Sequence, residues 1–219
     1  MAAFNQGDYQ TALKLWQPLA DKGNPEAENK LGIFYEFSQP RFRQPDNAEA
    51  MRWFRKAAEQ GNIEAQVNLG GMYANGIGIK KDGAKALKWW LRAAKQGDEW
   101  AQVAVGNCYV SDMCGKQNPE EAVKWYRKAA EQRSSRGAYG LFKMYRDGRG
   151  VKRDYKQAYM WCEIAYQYND APASSRHGYE LSRECVKVAN KMNKEQIAEA
   201  KRLIAEWKPP PAPAAAAKP

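Results

Sequence analysis

The sequence is poor in the residues that catalytic and metal sites most often use. It contains one histidine, His177, and four cysteines, and no two cysteines are spaced as C-x-x-C. It also has no H-E-x-x-H motif and no phosphate-binding P-loop. No pattern places a nucleophile and an orienting acid beside His177, so we interpret this residue as a surface or helix-capping residue. We therefore expect no catalytic site, no metal and no cofactor, and we predict that the protein is not an enzyme.

Long hydrophobic runs are also missing. No stretch of about 18 apolar residues occurs, and the sequence therefore predicts no transmembrane helix. Residues 1–8 lack the basic and apolar segments of a signal peptide, so none is expected in the chain as given. Residues 209–219 contain almost only proline and alanine. This tail cannot bury apolar surface, and we expect it to be disordered.

The charge is unbalanced, with 35 Lys and Arg against 25 Asp and Glu and a formal net charge of +10. An excess of positive charge favours partners of acidic character. The basic residues are spread along the whole chain and form no nucleic-acid-binding motif. Nucleic acid is therefore not an expected partner. The charge alone fits two interpretations: an ordinary solvated surface, and a surface that binds anionic lipid or nucleic acid.

The dominant feature is an internal repeat of 36 residues. Alanine, tyrosine and N-cap columns recur with the same step as a column of tryptophans: Trp53, Trp89, Trp125 and Trp161. In each unit the small and aromatic residues share one helical face, which predicts two helices per unit. Because one unit cannot bury its own apolar face, stacking is required, and the fold class is an all-α solenoid of helix–turn–helix repeats. The aromatic columns are interpreted as core.

Helix ends can also be assigned from the repeat. The second helix of each unit should begin after a capping residue, which is Asp46, Asp82, Asn118 or Asp154. Gly61 and Gly97 should end two of these helices in the left-handed conformation. Arg133 occupies the equivalent place in the next unit, so we expect that turn to be less regular. Near the C-terminus, Asn193 and Gln196 are spaced as a capping box.

These columns resemble the Sel-one-like repeat family, a relative of the tetratricopeptide repeats. The family pattern of A-x-x-x-L-G-x-x-Y followed by a Gly-rich loop and A-x-x-W is matched by residues 65–97 and less fully by 27–61 and 101–133. Residues 137–169 depart from it, with Phe142 in place of the glycine. The resemblance implies a right-handed superhelix that acts as an adaptor between proteins.

The predicted organisation has four parts. Residues 1–23 form a partial first repeat with its second helix only, and residues 24–170 form about four repeats. Residues 171–208 form C-terminal capping helices, and 209–219 are the tail. In bacterial relatives such a start is often preceded by a further helix and a secretion signal. We therefore expect a longer precursor with a periplasmic or secreted location, and a cytoplasmic location if no such segment exists.

The cysteines leave two interpretations open. Cys108 and Cys114 are six residues apart, close enough for a disulfide across one repeat loop. Cys162 and Cys185 could meet if the capping helix packs on the fourth unit. Four free thiols fit the sequence equally well.

Helical spacing projects one set of side chains onto the inner face of the first helices. The projected residues are aromatic, apolar and basic, a composition typical of peptide recognition, and they are Trp100, Val103, Arg136, Tyr139, Lys143 and Arg146. The alternative is that the two aromatic residues fill gaps between repeats. We predict a scaffold that binds a protein or peptide of acidic character on this concave face, with no small-molecule substrate. A binder of anionic surfaces is the alternative, and a hydrolase is a third and weaker hypothesis.

Overall fold

The computed structural model describes residues 9–37, 45–169 and 176–209, which contain eleven α-helices and no strand. The helices, in chain order, are α1 (Tyr9–Asp21), α2 (Pro25–Glu36), α3 (Asn47–Glu59), α4 (Ile63–Asn75), α5 (Gly83–Lys95), α6 (Glu99–Val110), α7 (Pro119–Glu131), α8 (Ser135–Asp147), α9 (Tyr155–Gln167), α10 (Arg176–Ala189) and α11 (Lys194–Glu206).

The chain divides into two compact units, Met1–Asp98 and Glu99–Pro219. In the first unit each helix from α1 to α5 packs on the next one along the chain. In the second unit α6 to α9 do the same, and α10 and α11 both pack on α9. The all-α repeat architecture and the C-terminal helical cap predicted from the sequence are therefore confirmed.

The predicted N-caps are confirmed at every repeat. Asp46 accepts a hydrogen bond from the Glu49 amide at 3.0 Å, and Asn118 accepts one from the Glu121 amide at 3.1 Å. Asp82 and Asp154 cap α5 and α9 in the same way. The capping box at the start of α11 is also present. These side chains satisfy amides that have no partner within the helix.

One expectation about the turns is wrong. Arg133 has a positive φ of 65°, so it adopts the left-handed conformation found at Gly61 and Gly97. The Ser134 amide donates to the Ala129 carbonyl at 3.1 Å, the same bond that Asn62 makes to Ala57 at 3.0 Å. The turn is therefore as regular as its counterparts. The hydrogen bonds that close the helix outweigh the backbone strain of a non-glycine residue, which is about 1–2 kcal/mol.

The tryptophan columns are core, as the repeat predicts. Trp53 is 2% exposed and Trp161 is 1% exposed. In the second unit the cap completes this core, because the Trp207 ring lies edge-on to Trp161 with centroids 4.9 Å apart. The Trp207 indole N–H donates to the Tyr168 hydroxyl at 3.1 Å. The cap thus covers the last tryptophan of the column with an aromatic residue of its own.

Each of the first three complete repeats is held together by an aromatic side chain packed against a glycine. A Cβ on Gly70 would lie 2.4 Å from Nε1 of Trp90, and one on Gly106 would lie 2.5 Å from the Tyr126 ring. Gly32 meets Phe54 at the same distance of 2.5 Å. In every case the aromatic residue directly follows the tryptophan of the second helix. The glycine therefore sets how closely the two helices of a repeat approach.

In the fourth repeat the large residue of this pair lies on the first helix and the small one on the second. Phe142 stands at the glycine position, and Cys162 stands at the aromatic position. Both side chains are fully buried in the core of the second unit. A large residue on the first helix and a small one on the second conserve the filled volume. This explains why the departure at Phe142 does not disrupt the repeat.

A second recurrent contact is polar and was not found from the sequence. The glutamine that caps the end of the second helix donates its side-chain amide to a buried residue on the first helix of the same repeat. Gln96 donates to Gln66 Oε1 and Gln132 donates to Gln102 Oε1, each at 2.9 Å. In the repeat of α2 and α3 the acceptor is the carboxylate of Glu28, which is 2% exposed.

We predict opposite effects for two neighbouring glycines of α4. Gly70→Ala should lower the free energy of unfolding by about 1–3 kcal/mol, because its methyl group would clash with Trp90. Gly71→Ala meets nothing within 4 Å and should raise that free energy by about 0.5–1 kcal/mol, because alanine favours the helix. Urea unfolding followed by circular dichroism measures both. Equal changes in the free energy of unfolding at the two positions would contradict the close contact between Gly70 and Trp90.

We predict that Glu28→Gln stabilises the protein at neutral pH. Burial raises the pKa of Glu28, although Lys56 and the Gln60 amide oppose the shift. The wild type therefore loses stability as the pH rises through the titration of this carboxyl. Glutamine removes the loss, so the free energy of unfolding of the variant should exceed that of the wild type at pH 7. The gain should disappear in acid, where Glu28 is protonated. Thermal unfolding across pH measures it, with Glu26→Gln on the exposed side of α2 as the control. A loss of stability at neutral pH would refute the prediction.

Candidate functional site

The structure places the six residues of the predicted groove in different environments. Trp100 begins α6 and is 41% exposed, while Arg136 is exposed in the first turn of α8. Val103 is only 7% exposed and belongs to the core of the second unit, so its side chain cannot be part of a binding surface. We therefore exclude Val103 from the candidate site. The remaining three residues, Tyr139, Lys143 and Arg146, are half-buried on α8.

These three side chains form a continuous layer along α8. The Lys143 ammonium lies over the Tyr139 ring, 5.0 Å from its centroid. The Arg146 guanidinium lies 5.0 Å from the centroid of Phe142, whose ring is 5.4 Å from that of Tyr139. Residues three and four positions apart on a helix are neighbours, and the sequence therefore brings this layer together without help from other helices.

Arg146 is already neutralised within the protein. It forms ion pairs with Asp147 at 2.7 Å and with Glu184 of α10 at 3.1 Å. The hydrogen bond from Arg146 lowers the pKa of Asp147, and bonds from Lys187 and Arg146 lower the pKa of Glu184. The sequence predicted Arg146 as a cation available to a partner. It could not predict the ion pair with Glu184, because α10 does not follow the repeat pattern.

Lys143 differs from Arg146 because its charge is not paired. Among the described residues no carboxylate lies within ion-pair distance of its ammonium group, although the Tyr139 ring is in contact with it. Burial and the nearby Arg146 lower the pKa of Lys143. The Asp147 carboxylate opposes this shift from beyond ion-pair distance. A partly desolvated cation of this kind gains from any carboxylate that comes closer.

An open pocket of about 370 Å³ adjoins this layer, between α8 and α10. Its lining residues are Tyr139, Glu180, Leu181, Arg183, Glu184 and Lys187. Five of these six lie on α10 and were missed by the repeat projection, because α10 carries none of the repeat columns. The only sequence feature that pointed to these five residues was the predicted capping helix. We use the name Lys143 surface for Tyr139, Lys143 and this pocket.

The structure joins both cysteine pairs. Cys108 is bonded to Cys114 in the loop that follows α6, and Cys162 of α9 is bonded to Cys185 of α10. Cys185 follows Glu184 directly, so the second disulfide fixes the helix that forms one wall of the pocket. The oxidation state of these cysteines in solution stays a prediction.

The described side chains contain no group of three His, Cys, Asp or Glu residues that could hold a metal ion. His177 falls in α10, but its side chain lies outside the described part of the structure. None of the described helices is long and apolar enough to cross a membrane.

The fold and the surface define a class of protein, a helical-repeat protein with an amphipathic pocket between α8 and the capping helix α10. The Sel1 repeat model matches five segments of the chain, residues 6–24, 25–62, 63–98, 101–134 and 135–167, and the chain belongs to the Sel1 repeat family. Proteins of this family generally act as protein–protein interaction scaffolds and are typically non-catalytic. No curated protein is significantly similar to the sequence.

Two Sel1-type repeat proteins are among the solved structures that resemble this one. The protective antigen c5321 of uropathogenic Escherichia coli, which displays an SLR fold, is 28% identical with a TM-score of 0.74. The match covers 88% of this chain but only 39% of the antigen, so the chain spans well under half of that protein. A Sel1 repeat protein from Oxalobacter formigenes is 26% identical with a TM-score of 0.70, covering 94% of this chain and 84% of that one.

Proposed function

We propose that the protein is a non-catalytic scaffold whose Lys143 surface binds an acidic segment of a partner protein. The observation that carries the proposal is the half-buried Lys143 ammonium, which lies over the Tyr139 ring and has no carboxylate within ion-pair distance among the described residues. Every other feature of the surface contributes shape or orientation around that charge.

The electrostatic argument concerns desolvation. Folding already removes part of the water from Lys143, as its lowered pKa reflects. A partner carboxylate placed beside Lys143 therefore gains attraction without the full cost of desolvating an exposed cation. Charged groups in such a position contribute both affinity and selectivity against partners that lack the carboxylate.

The pocket supplies the apolar part of the interaction. The Tyr139 ring forms one side, and the buried Leu181 side chain lies at the opposite helix. A volume of about 370 Å³ accommodates one or two side chains of a peptide. Aromatic and aliphatic groups of this kind form the energetic centre of most protein interfaces.

The α10 wall of the pocket carries both signs of charge. Glu180 and Glu184 line it together with Arg183 and Lys187. Glu184 is paired with Arg146 and Lys187, so this wall presents no excess of either sign. The bound segment is therefore one with its carboxylate at Lys143 and an apolar side chain in the pocket.

A selection of random peptides tests this function. Peptides selected on the purified protein should share an Asp or Glu next to an apolar residue. Lys143→Met keeps the aliphatic stem but removes the charge, and should weaken the selected peptides about tenfold or more. Fluorescence anisotropy with labelled peptides measures the change in Kd.

Lys128→Met is the matched control. The Lys128 ammonium lies 4.5 Å from the Trp125 ring centroid, so it makes the same kind of contact at a different place in the second unit. This variant should bind the peptides as tightly as the wild type. Unchanged affinity in Lys143→Met, or an equal loss in both variants, would contradict the proposed surface.

One observation favours a second function, the binding of anionic surfaces. Helix α5 contains four exposed cations and no acidic residue: Lys85, Lys88, Arg92 and Lys95. The equivalent helices α3 and α7 contain both signs of charge. Helix α5 thus carries four positive charges and no negative one, while the other basic residues are spread along the chain.

Binding to vesicles of anionic phospholipid tests this alternative. If α5 acts as an anionic-surface site, Lys88→Gln/Arg92→Gln should reduce co-sedimentation with the vesicles, and added salt should weaken binding steeply. Lys124→Gln/Lys128→Gln changes the equivalent positions of α7 and is the control. Binding that ignores both salt and the α5 substitutions would exclude this function for α5.

A further inference from the structure

The helix that carries Lys143 has a second cation without an acidic neighbour. Arg136 lies in the first turn of α8 and is exposed. In the part of the chain that the structure describes, no carboxylate lies within ion-pair distance of its guanidinium group. The third cation of α8, Arg146, is by contrast paired with Asp147 and Glu184. Of the three, Arg136 and Lys143 are therefore the two whose charge can still attract an acidic group of a partner.

The two side chains lie on the same face of α8. They are seven residues apart, which is almost two turns of an α-helix and about 10 Å along its axis. Tyr139 lies between them, one turn after Arg136 and one turn before Lys143. Its ring is covered by the Lys143 ammonium and also lines the pocket between α8 and α10. The face thus presents a positive charge, an aromatic ring and a second positive charge, in this order.

The packing of the repeat does not require these two cations. The repeat gives the equivalent positions on the other first helices, and none of them holds a cation. The pairs are Glu26 and Ile33 on α2, Glu64 and Gly71 on α4, and Trp100 and Asn107 on α6. These helices pack in their repeats without a positive charge at either position. The pair on α8 is therefore a feature of its surface, and the fold does not explain it.

The distance between the two cations sets the distance between the acidic groups that fit them. In a segment with polyproline II conformation, residues i and i+3 lie on the same side and about 9 Å apart. Two carboxylates with this spacing match Arg136 and Lys143 together, and an apolar residue between them points to the side, where the pocket opens. Adjacent acidic residues are only about 3.8 Å apart along the chain and match one cation at a time.

We propose that the Lys143 surface selects an extended segment with two acidic residues three positions apart and an apolar residue between them, and that Arg136 binds the second acidic side chain. This inference rests on the proposed function, in which Lys143 binds the first one. Because Arg136 is exposed, its ion pair is screened by water and salt and adds only modestly to affinity. Its larger effect is on selectivity, since two fixed charges set the register of the segment along α8.

Peptide selection on two forms of the protein tests the spacing. Peptides selected on the wild type should be enriched in pairs of Asp or Glu three positions apart. Peptides selected on Arg136→Gln should keep one acidic residue and lose the preference for the second. The Tm of this variant should equal that of the wild type, because the Arg136 side chain is exposed. A wild-type selection without a preferred spacing of two acidic residues overturns the inference.

Two synthetic peptides of the same composition measure the contribution of Arg136. One is Gly-Asp-Leu-Pro-Asp-Gly with blocked ends, in which proline favours the extended conformation. The other is its isomer Gly-Gly-Leu-Pro-Asp-Asp, which has the same charge but adjacent acidic residues. By calorimetric titration, the wild type should bind the first with a Kd about twofold to fivefold lower than the second. Arg136→Gln should bind the two equally.

Lys128→Gln is the control for this titration. It removes one positive charge from an exposed position on α7, in the same unit, and should keep the preference of the wild type. Equal binding of the two peptides by the wild type, or a preference that persists in Arg136→Gln, overturns the role of Arg136.

The inference and the proposed function fail under different results. If Lys143→Met weakens binding but Arg136→Gln leaves the preference between the isomers unchanged, the role of Arg136 is wrong and the proposed function stands. If Lys143→Met binds both peptides as tightly as the wild type does, the proposed function is wrong, and the inference that rests on it is wrong as well.

Discussion

The structure depends on one steric constraint, the contact between a glycine on the first helix of a repeat and the aromatic ring that follows the tryptophan on the second. A distance of 2.4 Å from an added Cβ to the Trp90 ring leaves no room for any side chain at Gly70. That contact fixes the spacing of the two helices, and the polar contact between Gln96 and Gln66 fixes their register. Because both contacts recur in the first three complete repeats, these repeats present the same faces to their neighbours.

The fourth repeat lacks the glycine–aromatic contact, and the side chains that replace it connect the repeat to the cap. With Phe142 on the first helix, the second helix carries the small Cys162, which is bonded to Cys185 of the cap. The exchange therefore connects the repeat to α10, the helix that supplies most of the pocket. The same helix neutralises Arg146 through Glu184, whereas Lys143 has no carboxylate within ion-pair distance in the described structure. The packing of Phe142 and Cys162 and the charges of the candidate site thus both depend on α10.

Helices α1 and α9 are the first and the last of the second helices in the described repeats, and they differ in how their apolar side chains are covered. Helix α9 is covered by the chain itself, and α1 exposes Leu15 and Leu19. Repeat proteins require a capped surface at their ends because each unit buries its apolar face only against a neighbour.

The sequence by itself determined the repeat, the helix caps and the buried aromatic columns, because hydrophobic periodicity and capping act over a few residues and recur every 36. It also placed Tyr139, Lys143 and Arg146 together, since they share one face of one helix. Only the tertiary structure decided that Val103 is buried, that Arg146 is neutralised by Glu184, and that α10 forms the pocket. These facts depend on contacts between α8 and a helix outside the repeat pattern, and no local periodicity encodes where such a helix packs.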